Sequence, residues 1–190
     1  MIKKIMVLAV SVAALIAFAA PAVAQAAELK EGKTKLAINS EVTATSFNLE
    51  TATATGTLFC EKVTIHGTLI ENGPNVVIAP NATTTENCRV TENGAAVTIT
   101  NPLVGTITLE GKKTEGSATA TFEADIPAAG LSGCHLSGSV AFTYVSGSDV
   151  FSIPGSGLTG MGPEGCPTAG SISGAFTLET ANGTAVTINA

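Results

Sequence analysis

The stretch Thr57-Leu-Phe-Cys-Glu-Lys-Val-Thr-Ile-His-Gly-Thr-Leu-Ile70 decides how the rest of the chain is read. It is rich in threonine, valine and isoleucine, which suit a pleated, half-buried surface, and it carries a cysteine. A second stretch of the same kind follows, Cys134-His-Leu-Ser-Gly-Ser-Val-Ala-Phe-Thr-Tyr-Val145. Each leads, some thirty residues on, to another cysteine, Cys88 or Cys166, which opens onto a further strand pattern. Within the first stretch the apolar phase is irregular. Phe59, Val63, Ile65 and Leu69 fall together, so Cys60 points outward unless a bulge near Glu61-Lys62 changes the phase. Cys134 shares the phase of Val140 and Phe142 and points inward.

Working outward, the same alternation recurs. Ala118-Thr-Ala-Thr-Phe-Glu-Ala-Asp-Ile126 puts Ala118, Ala120, Phe122, Ala124 and Ile126 on one face and Thr119, Thr121, Glu123 and Asp125 on the other. That is a strand with one buried and one wet face. Leu103–Leu109, Val140–Tyr144 and Ile172–Leu178 repeat the scheme, and helical periodicity is absent. Asn72-Gly73, Asn93-Gly94 and Asn182-Gly183 stand between such runs, and both residue types tolerate the positive φ of tight hairpin turns. The expected hairpins are 62–70/75–79, 84–91/95–100 and 172–180/184–189. The Gly- and Pro-rich segment 154–165 is expected to be one long irregular loop, tethered by Cys166. The fold class expected is all-β: an antiparallel sandwich of about ten to twelve hairpin-connected strands, with a closed or half-closed barrel as the alternative.

The N-terminus has another character. Lys3 and Lys4 precede an uncharged apolar run from Ile5 to Ala20, and small residues follow. This is the layout of a secretory signal helix, with small-x-small cleavage points after Ala24 and after Ala26. The expected division is a signal peptide at 1–26 and a single all-β domain at 27–190, with no membrane span in the mature protein. Of the 190 residues about 164 remain, enough for one domain with a core. Nine basic residues become seven against fifteen acids, a charge of −8. An acidic chain without a basic cluster argues against nucleic acid as a partner.

An exported chain with four cysteines implies disulfides. The metal alternative needs closely spaced pairs, and the successive spacings here are wide, 28, 46 and 32. Three connectivities are open. Cys60–Cys88 with Cys134–Cys166 is preferred, because the two halves then repeat one plan.

Ser46-Phe-Asn-Leu-Glu-Thr-Ala-Thr-Ala-Thr-Gly-Thr-Leu-Phe-Cys60, followed by Val63-Thr-Ile-His-Gly-Thr-Leu69, resembles a set of secreted, uncharacterised actinobacterial proteins with a "G-T-L-x-C" strand and a following strand ending "G-T-L". Cys166-Pro-Thr-Ala-Gly-Ser-Ile-Ser-Gly-Ala-Phe-Thr-Leu178 is similar to their cysteine-strand ending. The resemblance covers about a third of the chain and departs in the middle, where those proteins often carry extra cysteines. It implies export and a β-fold, and nothing chemical.

Candidate chemistry is sparse. His66 and His135 are the two histidines, and spacing places no third group to orient either ring as a catalytic base. Glu123 and Asp125 share a strand face and form the nearest approach to a carboxylate pair, which a solvated face explains. No nucleophile elbow or phosphate-binding glycine loop is present. Trp is absent and Tyr144, the sole tyrosine, is in phase with the core, which weakens a sugar-stacking reading. Repeated Thr-x-Thr pairs, as at Thr43/Thr45 and Thr119/Thr121, suit the wet face of any strand, and no fixed repeat keeps them flat as an ice-binding surface would need. The expectation is therefore a secreted, threonine-rich, non-catalytic structural or interaction protein of the envelope or extracellular space, without cofactor or metal. The alternative is a weak glycan- or small-ligand-binding module with 154–165 as its rim, and a hydrolase comes third.

Overall fold

The computed structural model describes residues 27–91, 93–111, 115–128 and 131–189. The signal-peptide reading, with Ala24 and Ala26, lies outside the described residues. Those described form twelve strands and no helix: β1 (Glu28–Glu31), β2 (Thr34–Lys35), β3 (Glu41–Thr53), β4 (Gly56–Asn72), β5 (Val76–Val90), β6 (Thr100–Val104), β7 (Ile107–Gly111), β8 (Glu115–Ala128), β9 (Leu131–Val145), β10 (Val150–Met161), β11 (Ala169–Thr180) and β12 (Val186–Asn189). All pairings are antiparallel.

The ladder runs β8-β7-β5-β4-β3-β11-β10-β9 and returns to β8, so eight strands close into a barrel. The all-β, hairpin-connected class is as the sequence implied, and of its two architectures the chain adopts the alternative, a closed barrel, in place of the sandwich. The reason lies in strand length. β3, β4, β5, β8 and β9 are 13 to 17 residues each, long enough for twist to accumulate and bring the sheet's two edges together. The last ladder, β8 with β9, extends from Glu115↔Val145 to Ala128↔Leu131 and leaves neither strand as a free edge there.

A second sheet, β12-β1-β2, lies across one end of the barrel. Leu29, Val186 and Ile188 are fully buried beneath it. Asn72, the last residue of β4, fastens this cap. Its Nδ2 donates to the carbonyls of Leu29 (3.0 Å) and Leu36 (2.9 Å), and its Oδ1 accepts from the Leu29 amide at 2.9 Å. A buried amide with these partners is satisfied and ties chain segments far apart in sequence. Midway along the lumen Phe142 meets Phe151 and Phe176 edge-on, with centroids 5.8 and 6.4 Å apart.

Two of the expected hairpins change partner at their ends. Residues 95–97 do fold back on β5, with Val97 N donating to Cys88 O at 2.8 Å, but the chain then leaves for β8 as β6. Ala185 bridges Glu179 before β12 departs to pair with β1. The segment 154–165 is not one irregular loop. β10 continues through it to Met161, and only 162–168 lacks strand structure. A bulge between Ile153 and Ser156, with Gly155 at φ 120°, absorbs Pro154. The inward phase passes from Phe151 and Ile153 to Ser156 and Leu158.

Candidate binding site on the barrel wall

The irregular phase of β4 has a structural cause. Leu58 and Cys60 face inward, then Val63, Ile65 and Leu69 do. The change falls at Glu61-Lys62, where the sequence required a bulge if Cys60 was to be buried. It is not confined to β4. In β3 the inward set passes from Val42, Ala44 and Ser46 to Leu49 and Thr51. Register holds across the break, with Phe47 opposite Lys62 and Glu86, and Leu49 opposite Cys60 and Cys88. Asn48 and Asn87 adopt φ of 66° and 50°, a left-handed conformation that asparagine accepts better than most residues. Three neighbouring strands thus kink in one row, and each turns two consecutive residues toward solvent.

The outcome is an open concavity of about 420 Å³ on the outer wall, lined by Phe47, Asn48, Phe59, Glu61, Lys62, Glu86, Asn87 and Arg89. Phe47 is 63% exposed, unusual for an aromatic ring. Arg89 stacks its guanidinium on the Phe59 ring, 4.5 Å from the centroid, and donates from Nη1 to Glu61 Oε1 at 2.7 Å. Asn87 Nδ2 donates to the other carboxylate oxygen at 3.0 Å. Lys62 pairs with Glu86 at 2.9 Å. The Arg89 hydrogen bond, and after it that from Asn87, holds the Glu61 carboxyl below its ordinary range. Each exposed pair contributes little to stability, yet together they fix side chains that would otherwise sample many rotamers. The site therefore joins an exposed ring face to fixed donors and acceptors whose charges balance.

The other sequence candidates are placed as follows. Cys60 bonds Cys88 across the β4–β5 ladder, and Cys134 bonds Cys166, joining β9 to the segment after β10. Two disulfides fit an oxidising, extracytoplasmic compartment. His66 is exposed, its Nδ1 3.1 Å from Thr43 Oγ1. His135 does find an orienting group, since Asp125 on the neighbouring strand places Oδ1 3.0 Å from His135 Nδ1. Strand pairing made this contact, which spacing along one strand had not suggested. Glu123 is described only by its register opposite Ser137, so the Glu123–Asp125 side-chain pair lies outside the described residues. Among the described residues no three His, Cys, Asp or Glu side chains cluster as metal ligands. Thr177, Thr45, Thr64 and Thr84 form one cross-strand row, on a wall curved by closure.

The sequence pointed to the bulge but not to the site. Phe47 and Phe59 lie on different strands, and nothing in spacing announces that Arg89 will cover one ring while the other stays bare. Comparison with protein-family models, with curated proteins and with solved structures finds no match in any of the three.

Proposed function

We propose that this is an exported, non-catalytic interaction protein of the cell envelope or extracellular space, and that its outer-wall concavity binds a neutral glycan. The observation that carries the reading is the exposed Phe47 ring beside the Arg89–Glu61–Asn87 array. The C–H face of a sugar ring is slightly positive and meets the negative face of an arene. Its hydroxyls need donors and acceptors held at fixed positions, which the array supplies. Arg89 and Lys62 offset Glu61 and Glu86 here, so the site favours neither an anionic nor a cationic ligand. The signal-like N-terminus and the two disulfides support export.

The test is a glycan array followed by titration calorimetry. A neutral glycan should bind weakly, and Phe47→Ala should reduce affinity at least tenfold without altering the melting temperature. An array without hits, or a hit that Phe47→Ala and Arg89→Ala both leave intact, overturns the proposal.

A further inference from the structure

The two histidines lie too far apart in the chain to announce a metal site, but register across strands gathers a different donor set. Asp125 of β8 stands opposite His135 of β9, and His135 stands opposite Met161 of β10. Cys134 and Leu136, on either side of His135, are buried in the lumen, so His135 and its two partners share the outer face. One row across three adjacent strands thus carries a carboxylate, an imidazole and a thioether. Residues directly opposite each other have Cβ atoms about 4.5–5.5 Å apart, close enough for an imidazole and a thioether to share one ion.

Asp125 Oδ1 lies 3.0 Å from His135 Nδ1. A carboxylate only accepts, so Nδ1 carries the hydrogen and the neutral ring keeps its lone pair on Nε2. The two ring nitrogens diverge, which directs Nε2 away from Asp125. Metal-ligating histidines are held in this way by a carboxylate on the other nitrogen. Met161 is 60% exposed, where a methionine gains little from core packing. It is also the one methionine of the chain beyond the first six residues. The end of β10 that carries it is fixed in place. Cys134, next to His135, is bonded to Cys166, and Gly160 N donates to Thr168 O at 2.9 Å. A Cβ on Gly160 would clash with Pro167 O, so glycine is what lets the segment after β10 fold back against it.

We infer that His135 Nε2 and Met161 Sδ bind a cuprous ion on the outer wall, with Asp125 as the positioning residue. A thioether is a soft ligand that selects Cu(I), and imidazole suits copper. Zinc takes thiolate, imidazole and carboxylate ligands, usually three or more from the protein. The Asp125 carboxylate offsets the single charge of the ion, so the loaded site is neutral. Two protein ligands leave the ion open to exchange with a further ligand from solution. All four cysteines are in disulfides, so no thiolate of this chain competes for it. The row lies on β8, β9 and β10, away from the concavity on β3, β4 and β5, and the inference does not depend on the glycan proposal.

The experiment titrates the disulfide-intact protein with Cu(I), kept reduced by ascorbate under argon, and with Ag(I) as a redox-inert stand-in. The Met161 methyl and His135 ring resonances are followed. Each ion should shift both and saturate at one equivalent, and Zn(II) should leave the methyl unmoved. Before metal is added, the ring ¹⁵N shifts should report hydrogen on Nδ1. Asp125→Ala should remove that preference and weaken Cu(I) about tenfold or more. Met161→Leu, a change at an exposed side chain, should weaken Cu(I) about tenfold or more without altering the melting temperature. It keeps the test open should His135→Gln, expected to abolish binding, misfold. His66→Gln should change nothing. No saturable shift of the Met161 methyl at several equivalents, an affinity that Met161→Leu leaves intact, or a response to Zn(II) equal to that to Cu(I) overturns the inference.

Discussion

The two ends of the barrel are built on different principles. At the capped end the small sheet β12-β1-β2 lays fully buried Leu29, Val186 and Ile188 over the lumen, and Asn72 supplies three hydrogen bonds. The opposite half carries both disulfides, a void of about 40 Å³ and a seam where β5, between Ile78 and Cys88, passes β6 without a ladder among the described residues. Where apolar packing and hydrogen bonds close the structure, no covalent link is used. Where the wall is left unzipped, the Cys60–Cys88 bridge restrains β5 beside it. Cys60 lines the void itself, and its bond to Cys88 joins β4 to β5, whose other edge is paired at Val76–Ile78 and again around Cys88–Val90 but not between them among the described residues. A cavity and a gap are unfavourable features, and cross-links limit how far the chain unfolds around them.

The largest expected effect breaks that contrast at the seam end. Replacing Cys60 and Cys88 together by serine should cost about 3–4 kcal/mol, the chain-entropy value for loops of this size. Hydrogen exchange should then rise first in β5 and β6 and last under the cap. Equal loss of protection at both ends in a denaturant series would remove the distinction. Next comes the capped end. Asn72→Ala leaves the amide and carbonyl of Leu29 and the carbonyl of Leu36 without their side-chain partner, and should cost about 2–3 kcal/mol by chemical unfolding. A loss below about 0.5 kcal/mol, the scatter of neutral surface changes, would mean water replaces it freely.

A smaller effect sharpens the comparison. Pro80→Val with Pro102→Val restores two amide donors at the seam and should slow exchange at Thr83 and Thr85 with a stability change within about 1 kcal/mol. Faster exchange would show that the prolines hold the seam together instead of keeping it apart. The smallest effect concerns acid. Glu61 has a folded-state pKa lowered from 4.5, so its contribution is complete above that value and is lost as pH falls through the depressed one. Glycan affinity should be flat from about pH 8 to about pH 5, where the carboxylate stays ionised, and drop only in stronger acid. Glu61→Gln should abolish that acid limb, which a pH series of titrations will read directly.

Much of the fold was legible because alternation is a local property. β8 and β9 could be traced almost residue by residue, since Val140, Phe142 and Tyr144 occupy one face and their neighbours the other. Segment 154–165 misled because glycine and proline mark a loop and a bulged strand alike. Only the partners on either side, β9 and β11, keep it extended. The outer-wall site was illegible for a related reason. Its ring, guanidinium and carboxylate come from β3, β4 and β5, and they meet only because three strands kink in one row. His135 and Asp125 likewise stand in register on neighbouring strands, a relation that no reading along one strand contains.

The residues in order were enough to dictate a protein of strands, with tight Asn-Gly turns and cysteines near enough in the chain to pair locally. These follow from side-chain shape, backbone freedom and short loop closure, which depend on neighbours in sequence. Whether the sheet stacked into two layers or met its own edge was decided only in three dimensions. Closure depends on twist summed over long strands and on the pairing of β8 with β9, and so do the unzipped seam and the concave wall that closure produces.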